Sequence, residues 1–270
     1  MAVVTGGSSG IGLATAAACL EAGYDVVIAA RDAGRLALAE SELGSGGRVL
    51  ACPTDVGDEE AVARLIAAAT ERFGRVDALI NAHGIVGAQK PVDALSPSDW
   101  EDVFATNLFG AVRTTRLALP ALRLTRGAVL NIASLSAYQA EPNLSAYAAS
   151  KAALVSFTRS AACELAADGI RVNAIAPGWV LTAMAESFFA QAGLDDGRIG
   201  SNMQGRAAQP EEIASVALFL IGRGASHMTG QSIVVDGGHG ALMTPLGPPG
   251  GLGGVGGLGG LGGLGPAPPR

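Results

Sequence analysis

The sequence has few aromatic residues, few cysteines and no excess of basic charge. Aromatic residues make up 4% of the 270 residues, charged residues 16% and hydrophobic residues 49%. A disordered chain is poor in apolar residues, so this composition excludes one and predicts a core of Ala, Val, Leu and Ile. The formal net charge of −6 provides neither the basic surface typical of nucleic-acid binding nor a polybasic membrane anchor. We therefore expect neither a nucleic acid nor a membrane as a partner.

Cysteine, histidine and lysine are also scarce. The three cysteines, Cys19, Cys52 and Cys163, are far apart, which argues against a disulfide framework and fits a reducing cytoplasm. No Cys-x-x-Cys motif or His/Cys cluster occurs, so we predict no metal site. Neither a targeting segment nor an apolar run of bilayer length is present, and we expect a cytoplasmic protein. Lys151 is conspicuous because Lys90 is the only other lysine.

Short apolar runs alternate with longer helical patterns over most of the chain. This alternation predicts right-handed βαβ units and a parallel sheet covered on both faces. We predict an α/β fold, a single Rossmann-like doubly wound domain over residues 1–244 with a mainly parallel, seven-stranded sheet. The predicted strands lie at 3–5, 26–28, 76–80, 128–132, 172–175 and 232–235, and one more strand begins at 49–50. The predicted helices lie at 11–21, 31–43, 58–73, 98–106, 108–124, 146–166 and 210–221.

Two segments depart from the alternation. Residues 184–206 are long for a connection and contain four glycines, which predicts a lid or substrate-binding loop. Residues 245–270 hold 12 of the 39 glycines and six of the 13 prolines, so we predict a mobile tail. The alternative is that the spaced leucines of this tail dock on a partner subunit.

The first predicted strand is followed by a glycine-rich loop, Thr-Gly-Gly-Ser-Ser-Gly-Ile-Gly, from Thr5 to Gly12. Glycines allow a tight turn and a close approach to a pyrophosphate, and the next helix presents unpaired N–H groups and a positive dipole end. A purely structural turn also explains many such loops. The position at the first strand-to-helix junction favours dinucleotide binding.

A second motif, Tyr147-Ala-Ala-Ser-Lys151, lies in a predicted helix. Positions i and i+4 share one helix face, so the phenol and the ammonium point the same way. A nearby ammonium favours the phenolate and lowers the phenol pKa from about 10, which predicts a proton donor and acceptor. The alternative is an ordinary amphipathic helix with an exposed Tyr and Lys.

The order of several motifs carries a family resemblance. They are the Thr5–Gly12 loop, Asp55-Val56, Asn81-Ala82-His83-Gly84, Asn107, Ser134, Tyr147-x-x-x-Lys151 and Pro177-Gly178. From Met1 to about Gly238, the chain resembles the short-chain dehydrogenase/reductase family. The resemblance implies an NAD(P)-dependent oxidoreductase acting on CH–OH and C=O groups. It also implies a homo-oligomer, with a tetramer built partly from helices 108–124 and 146–166.

The resemblance implies a catalytic set of Asn107, Ser134, Tyr147 and Lys151. Tyr147 is the general acid in reduction and the base in oxidation, and Lys151 lowers its pKa and holds the nicotinamide ribose. Ser134 hydrogen-bonds the substrate carbonyl or hydroxyl. Asn107 holds a water that relays protons from Lys151, although a buried residue at a helix bend also explains it. The implied cofactor contacts are Thr5, Gly6, Ser8, Ser9, Gly10, Ile11, Gly12, Arg31, Asp55, Val56, Asn81, Ala82, Gly84, Tyr147, Lys151, Pro177, Gly178, Val180 and Thr182.

One position departs from the family pattern, since His83 stands where the family usually has Ala. We interpret His83 as a satisfied histidine packed behind the cofactor, because Tyr147 already supplies the acid.

The end of the second strand bears on the cofactor. Ala30 takes the position that is usually acidic in NAD users, and Arg31 follows, with Arg35 in reach to assist. An arginine there accommodates the 2′-phosphate of NADP, so we predict NADP. NAD remains the alternative, because Asp32 is one position away and the loop at Ser8-Ser9 lacks a basic residue.

The predicted substrate contacts are Ser134, Ser136, Glu141, Tyr147 and Trp179, with Tyr138, Met184, Phe188 and Phe189 as candidate pocket walls. An alternative for the two phenylalanines is that they only pin a loop helix. Glu141 is predicted either to bind a second hydroxyl of a polyol or to be solvated.

The leading hypothesis is an NADP-dependent oxidoreductase that interconverts a ketone and a secondary alcohol on a small molecule. The alternatives are an NAD-dependent alcohol or polyol dehydrogenase, a non-catalytic nucleotide-binding regulator on the same fold, and a scaffold that acts through the tail.

Overall fold

The computed structural model describes residues 1–44, 46–191 and 202–241. The strands are β1 (Ala2–Thr5), β2 (Val26–Ala30), β3 (Val49–Pro53), β4 (Ala78–Asn81), β5 (Ala128–Ile132), β6 (Arg171–Pro177) and β7 (Ser232–Val235). The helices are α1 (Gly10–Glu21), α2 (Ala33–Leu43), α3 (Glu59–Phe73), α4 (Pro97–Phe104), α5 (Gly110–Thr125), α6 (Ser145–Leu165), α7 (Ala183–Gln191) and α8 (Pro210–Ile221). The predicted tail, 245–270, and residues 192–201 of the predicted substrate loop lie outside the described residues.

The strands form one seven-stranded sheet in the order β3-β2-β1-β4-β5-β6-β7. Every pairing is parallel. The central strands are short runs of Val, Ile, Leu and Ala that are buried on both faces, as parallel strands covered by helices must be. The predicted α/β class and doubly wound, seven-stranded sheet are confirmed.

Alternate residues along each strand feed two cores. Val4, Ile28 and Ile80 pack beneath α1, α2 and α8 on one face. Val3 and Leu79 pack beneath α3, α5 and α6 on the other. Aliphatic side chains and alanines dominate both cores, as the composition predicted.

Two helix boundaries differ from the prediction. The structure joins α4 to α5 through a π-helical turn, Ala105–Phe109, where the sequence predicted two separate helices. Such a wide turn often occurs at functional sites, and this one carries the buried Asn107. Helix α2 begins at Ala33 rather than at residue 31, because the Asp32 carboxylate caps it by accepting from the backbone N–H groups of Gly34 and Arg35.

The strand order determines where the ligand-binding crevice of the sheet lies. β1 lies between β2 and β4, so the chain turns to opposite sides of the sheet after β1 and after β3. Ligands of doubly wound sheets bind at such a switch point, outside the carboxyl ends of the strands. The loops after β1, β4, β5 and β6 therefore share one edge. Across the described ranges, no helix is long and apolar enough to cross a bilayer.

Candidate active site

A cavity of about 430 Å³ opens at the carboxyl edge of the sheet. Its volume lies within the range of small-molecule sites. The predicted site residues that line it are Gly6, Ser8, Ser9, Gly10, Ile11, Gly12, Arg31, Asp55, Val56, Ala82, Gly84, Ser134, Ser136, Glu141, Tyr147, Lys151, Pro177, Gly178, Trp179, Val180 and Thr182. The fold thus gathers residues from the whole length of the described chain into one cleft.

The glycine loop forms one end of this cavity. Gly6 has a φ of +70°, which a side chain would strain, and a Cβ added at Gly12 would lie 2.2 Å from the Gly6 carbonyl oxygen. The loop therefore folds tightly onto the start of α1. The first turn of α1 has no acidic residue, and its N-cap, Ser9, makes no side-chain capping bond. Its N–H groups and dipole fit the pyrophosphate of a dinucleotide.

The loops after β2 and β3 form the adjoining part of the cleft. Strand β2 ends at Ala30, and the exposed Arg31 lines the cavity immediately beyond it. The carboxylate of Asp32 is engaged at the N-terminus of α2, 3.8 Å from the Arg35 guanidinium. Asp55 turns its Oδ1 back to the N–H of Gly57, at 2.8 Å. Guanidinium and carboxylate groups thus flank the space past the ends of β2 and β3.

Helix α6 places Tyr147 and Lys151 one turn apart on the face toward the cavity. Lys151 Nζ donates to the Ile132 carbonyl at the end of β5, at 2.8 Å, and lies 5.8 Å from the centre of the Tyr147 ring. Only 4% of Lys151 is exposed, and this burial lowers the pKa of its ammonium to about 8. An ammonium with so low a pKa exchanges its proton readily near neutral pH.

We predicted that Lys151 lowers the pKa of Tyr147. With the side chains of this chain alone, the pKa of Tyr147 is raised instead, so this prediction is wrong. Burial raises the pKa of the phenol above its usual 10, and the charge of Glu141 raises it further, while the Ser134 hydroxyl lowers it in part by hydrogen bonding. The Lys151 ammonium makes its hydrogen bond to the Ile132 carbonyl and not to the phenol, so burial dominates the Tyr147 pKa. Tyr147 is therefore protonated at neutral pH, as a proton donor must be.

Ser134 begins a chain of hydrogen bonds along the wall of the cavity. Its Oγ accepts from the Ser136 N–H at 3.1 Å and donates to Ser136 Oγ at 3.2 Å. Ser136 Oγ donates in turn to Glu141 Oε2 at 2.8 Å. The first of these bonds caps the short 3₁₀ helix Leu135–Ala137 and fixes the serine after β5. The predicted substrate contacts Ser134, Ser136 and Glu141 therefore form one connected group.

Asn107 lies behind Lys151 and does not line the cavity. Its Oδ1 accepts from the Ile85 N–H at 2.8 Å, and its Nδ2 donates to the Ile85 carbonyl and to Ser150 Oγ. A Cβ added at Gly84 would lie 3.3 Å from both Asn107 Oδ1 and Lys151 Nζ. The bend-residue interpretation thus describes the amide correctly, and Gly84 leaves a gap between it and the ammonium.

Thr5 and Asn81, predicted as cofactor contacts, are buried and are not among the residues that line the cavity. Asn81 is 1% exposed and donates to Asn131 Oδ1 at 2.9 Å while accepting from Thr114 Oγ1 at 2.7 Å. The fully buried Thr5 hydroxyl lies 2.6 Å from Nδ1 of His83. Both side chains therefore connect the cleft to the residues packed behind it.

His83, which we predicted to be a satisfied histidine behind the cofactor, is among the residues that line the cavity and is only partly satisfied. Its Nδ1 meets Thr5, whereas Nε2 is buried without a well-formed hydrogen bond in the described ranges and faces Gly110, where an added Cβ would lie 2.8 Å away. Burial, with a smaller contribution from the Lys151 charge, lowers its pKa to about 3, although the Thr106 backbone offsets this in part. His83 is neutral at physiological pH and packs β1 against the π-helical turn.

The Asn81 network predicts a measurable loss of stability. Asn81→Ala removes hydrogen bonds to Asn131 and Thr114 and leaves the buried Asn131 Oδ1 unsatisfied, whereas the Thr114 hydroxyl still donates to the Gly110 carbonyl. We expect the free energy of unfolding to fall by about 3 kcal/mol, measured by urea denaturation. Gln204→Ala, which truncates an exposed amide, is the matched control and should change it by less than about 0.5 kcal/mol. Equal stability of the two variants would contradict the assigned network.

The aromatic candidates of the substrate end divide in two. Trp179 and Phe188 line the cavity and meet edge to face, with ring centres 5.6 Å apart, and Met184 lines it as well. Phe189 instead packs behind Trp179 in a small separate core. Tyr138 is 46% exposed and is not part of the lining. The pocket-wall hypothesis holds for Phe188 and the pinning hypothesis for Phe189.

His239 lines the cavity although the sequence analysis did not select it. It comes from a short 3₁₀ helix, His239–Ala241, after β7, and a Cβ added at the next residue, Gly240, would lie 3.2 Å from Leu135. No local pattern pointed to this residue, because only tertiary packing across β6 brings the chain after β7 against the chain after β5. Among the described residues, no cluster of three His, Cys, Asp or Glu could hold a metal ion.

Comparison with known proteins agrees with this geometry. A family model described as enoyl-(acyl carrier protein) reductase matches residues 6–240. A cis-4-hydroxycyclohexanecarboxylate dehydrogenase of Sinomonas cyclohexanicum is 37% identical over 90% of this chain and 97% of its own length.

Two solved structures superpose over nearly the whole fold. A 3-ketoacyl-(acyl-carrier-protein) reductase from Brucella melitensis, complexed with NADH, has a TM-score of 0.80 and 32% identity, covering 88% of this chain and 97% of the other. A variant of an actinorhodin polyketide ketoreductase with NADPH has a TM-score of 0.83 and 37% identity, covering 89% and 97%.

Proposed function

Because the chain belongs to the short-chain dehydrogenase/reductase family, we propose that it is an NADP-dependent enzyme that reduces a ketone on a small molecule to a secondary alcohol, and the reverse, with Tyr147 as general acid and base. The family makes it an oxidoreductase of CH–OH and C=O groups that uses a nicotinamide cofactor. The cofactor preference, the proton donor and the substrate type are the proposal.

One observation carries the proposal, the convergence of Ser134, Tyr147 and Lys151 on the cavity that the glycine loop also lines. A nucleotide-binding regulator needs the loop but not this set. Two features of the glycine loop fit a dinucleotide. There is no space for a Cβ at Gly12, and the first turn of α1 has no side-chain cap. When bound, the nicotinamide supplies or accepts the hydride.

The residues of the chain manage the proton and the developing charge. Tyr147 is neutral at physiological pH and donates its phenolic proton to the carbonyl oxygen during reduction. The Ser134 hydroxyl donates to the same oxygen and steadies its negative charge. After the proton transfer Tyr147 is a phenolate, and Lys151, whose pKa is about 8, supplies the proton that restores the phenol. The proton relay that the resemblance implies would pass through a water between Lys151 Nζ and Asn107 Oδ1, both of which lie near Gly84.

The preference for NADP rests on the loop after β2. Arg31 is exposed at the cavity wall, where its guanidinium is available to a 2′-phosphate. Asp32 is turned toward the N-terminus of α2, where its Oδ1 accepts from two backbone N–H groups, and this leaves its Oδ2, 3.8 Å from the Arg35 guanidinium, as the acceptor for a ribose 2′-hydroxyl. NAD would need that acceptor.

Arg31→Ala tests the cofactor preference. We expect the KM for NADPH to rise about tenfold to a hundredfold, because a charge-assisted hydrogen bond to phosphate is lost. The KM for NADH should change less than about twofold, and both are measured from nicotinamide absorbance with a reducible ketone. Arg64→Ala on α3, outside the cavity, is the matched control. A wild-type preference for NADH, or an equal effect on both cofactors, would contradict the proposal.

We also propose a cytoplasmic homo-oligomer, with a tetramer as the expected form. Phe109 and Leu124 flank α5 and are 53% and 89% exposed, which supports an apolar contact along this helix. Cys19, Cys52 and Cys163 are free thiols, which supports a reducing compartment.

A further inference from the structure

The substrate end of the cavity carries a single carboxylate, that of Glu141. Among the described lining residues, the only cations are Lys151, Arg31 and Arg35. The two arginines follow β2, which lies three strands from β5 and therefore about 14 Å from Ser134. Around Glu141 the wall is mostly apolar, with Leu144 and Trp179 among its members. A substrate anion would have no cation beside it there except Lys151.

Glu141 is held close to the reacting group. Two hydrogen bonds, of 3.2 and 2.8 Å, connect Ser134 Oγ through Ser136 Oγ to Glu141 Oε2. Its charge also acts on the Tyr147 phenol. Within the described ranges, the Ser136 hydroxyl is its one hydrogen-bond donor. A carboxylate accepts about four hydrogen bonds, so Glu141 retains acceptor capacity that faces the cavity.

His239 supplies a second polar group at the same end. Its 3₁₀ helix packs on the segment after β5, since a Cβ added at Gly240 would touch Leu135 and lie 3.4 Å from the Gln139 amide. Nδ1 of His239 is buried and has no hydrogen-bond partner in the part of the chain that the structure describes. Since Nδ1 has no accessible surface, a ligand in the cavity would meet the remaining part of His239, which lines it.

We propose that Glu141, Ser136 and His239 form a recognition subsite for a hydroxyl group on the carbon next to, or next but one to, the reacting carbonyl. This inference rests on the proposed function and names its substrate class, neutral hydroxyketones and the corresponding diols. The spacing follows from the two hydrogen bonds that separate Glu141 from Ser134.

A hydroxyl fits this pair of groups better than a charged group does. It donates to the carboxylate and accepts from an imidazole N–H, and a histidine ring always offers at least one such donor. An ammonium cannot accept a hydrogen bond and meets the charge of Lys151 in the same cleft. A carboxylate on the substrate would be repelled by Glu141.

The kinetic test compares three ketones that differ at one substituent, 2-methyl-, 2-hydroxy- and 2-(dimethylamino)cyclohexanone. We expect wild-type kcat/KM to be about tenfold higher for the hydroxyketone than for the methyl ketone, because a hydrogen bond to a charged acceptor is gained. Glu141→Gln should remove most of that preference, so that the ratio of the two kcat/KM values approaches one. Glu101→Gln on α4, outside the cavity, is the matched control and should change neither.

A binding test separates this inference from the proposed function. In a Tyr147→Phe background with oxidised cofactor, trans-1,2-cyclohexanediol should bind about tenfold more tightly than 2-methylcyclohexanol by calorimetry, and adding Glu141→Gln should equalise the two. If the Tyr147→Phe protein bound the diol selectively while the wild-type protein turned over no ketone, the proposed function would be refuted but the subsite would be supported.

Three results would overturn the subsite. The first is turnover with no preference for the hydroxyketone. The second is equal binding of the diol and the methyl alcohol. The third is a preference for the dimethylamino ketone that Glu141→Gln abolishes, which would make Glu141 a cation site.

Discussion

Replacing Tyr147 by Phe is expected to lower kcat for ketone reduction about a thousandfold while leaving the dissociation constant for NADPH within about twofold of the wild-type value. The substitution removes one oxygen and keeps the ring beside Lys151, whose Nζ is 5.8 Å from the ring centre. The glycine loop and the Arg31 region are unchanged, so the cofactor site persists. Steady-state absorbance gives kcat, and quenching of tryptophan fluorescence gives cofactor affinity.

Tyr138→Phe is the matched control. It removes the same atom from a phenol in the same segment, but Tyr138 is 46% exposed and lies outside the cavity lining. Its kcat should stay within about twofold of the wild-type value. If Tyr147→Phe kept more than a tenth of wild-type kcat, the phenol would not be the proton donor. A biological effect that survived the loss of turnover would support a regulator instead.

The raised pKa of Tyr147 also fixes the pH dependence. Reduction needs the protonated phenol, so its rate should be flat from pH 6 to 8 as far as this group is concerned. Oxidation needs the phenolate, so its rate should rise with pH up to the pKa of the phenol. Ser134→Ala removes the hydrogen bond that lowers this pKa and should move the rise to higher pH.

The fold was predictable because its determinants are local and repeated. Each buried strand is a run such as Val26–Ala30, and each is followed by a helix, so the parallel sheet follows from the alternation. The boundary errors have local causes that the pattern does not reveal. The carboxylate of Asp32 caps α2, and a π-helical turn continues α4 into α5 around Asn107.

The candidate site was predictable where a motif places residues on one element, and not where tertiary packing decides. The four-residue spacing of Tyr147 and Lys151 places both on one face of α6. The burial of Asn81, by contrast, depends on Asn131 one strand away. His239 reaches the cavity through the packing of the segment after β7 on the segment after β5, so sequence spacing carried no signal for it.

Burial of Lys151 has an energetic consequence that acts against stability. A lysine whose pKa falls to about 8 in the folded protein is disfavoured there in its charged form, while the unfolded chain keeps the usual value. The unfolded state therefore binds more protons than the folded state between about pH 8 and pH 10. The resulting loss of folding stability is complete below pH 8 and disappears as the pH rises through that window. The hydrogen bond from Nζ to the Ile132 carbonyl offsets part of it.

Lys151→Met should consequently raise stability and remove activity. Met preserves the unbranched shape without the charge, so we expect the free energy of unfolding to increase by about 2 kcal/mol at pH 7, measured by urea denaturation. The gain should shrink toward pH 10, where the folded wild-type lysine is neutral. Turnover should fall about a hundredfold or more, because the phenol loses its proton source.

The only other lysine provides the control for this last prediction. Lys90 is exposed and lies 3.3 Å from the Asp99 carboxylate, so Lys90→Met should change stability by less than about 0.5 kcal/mol at any pH and leave turnover intact. A Lys151→Met protein that is less stable than wild type at pH 7 and pH 10 alike would mean that the hydrogen bond to Ile132 outweighs desolvation. A more stable but inactive variant would mean that α6 accepts an unfavourable buried charge because proton transfer at Tyr147 requires it.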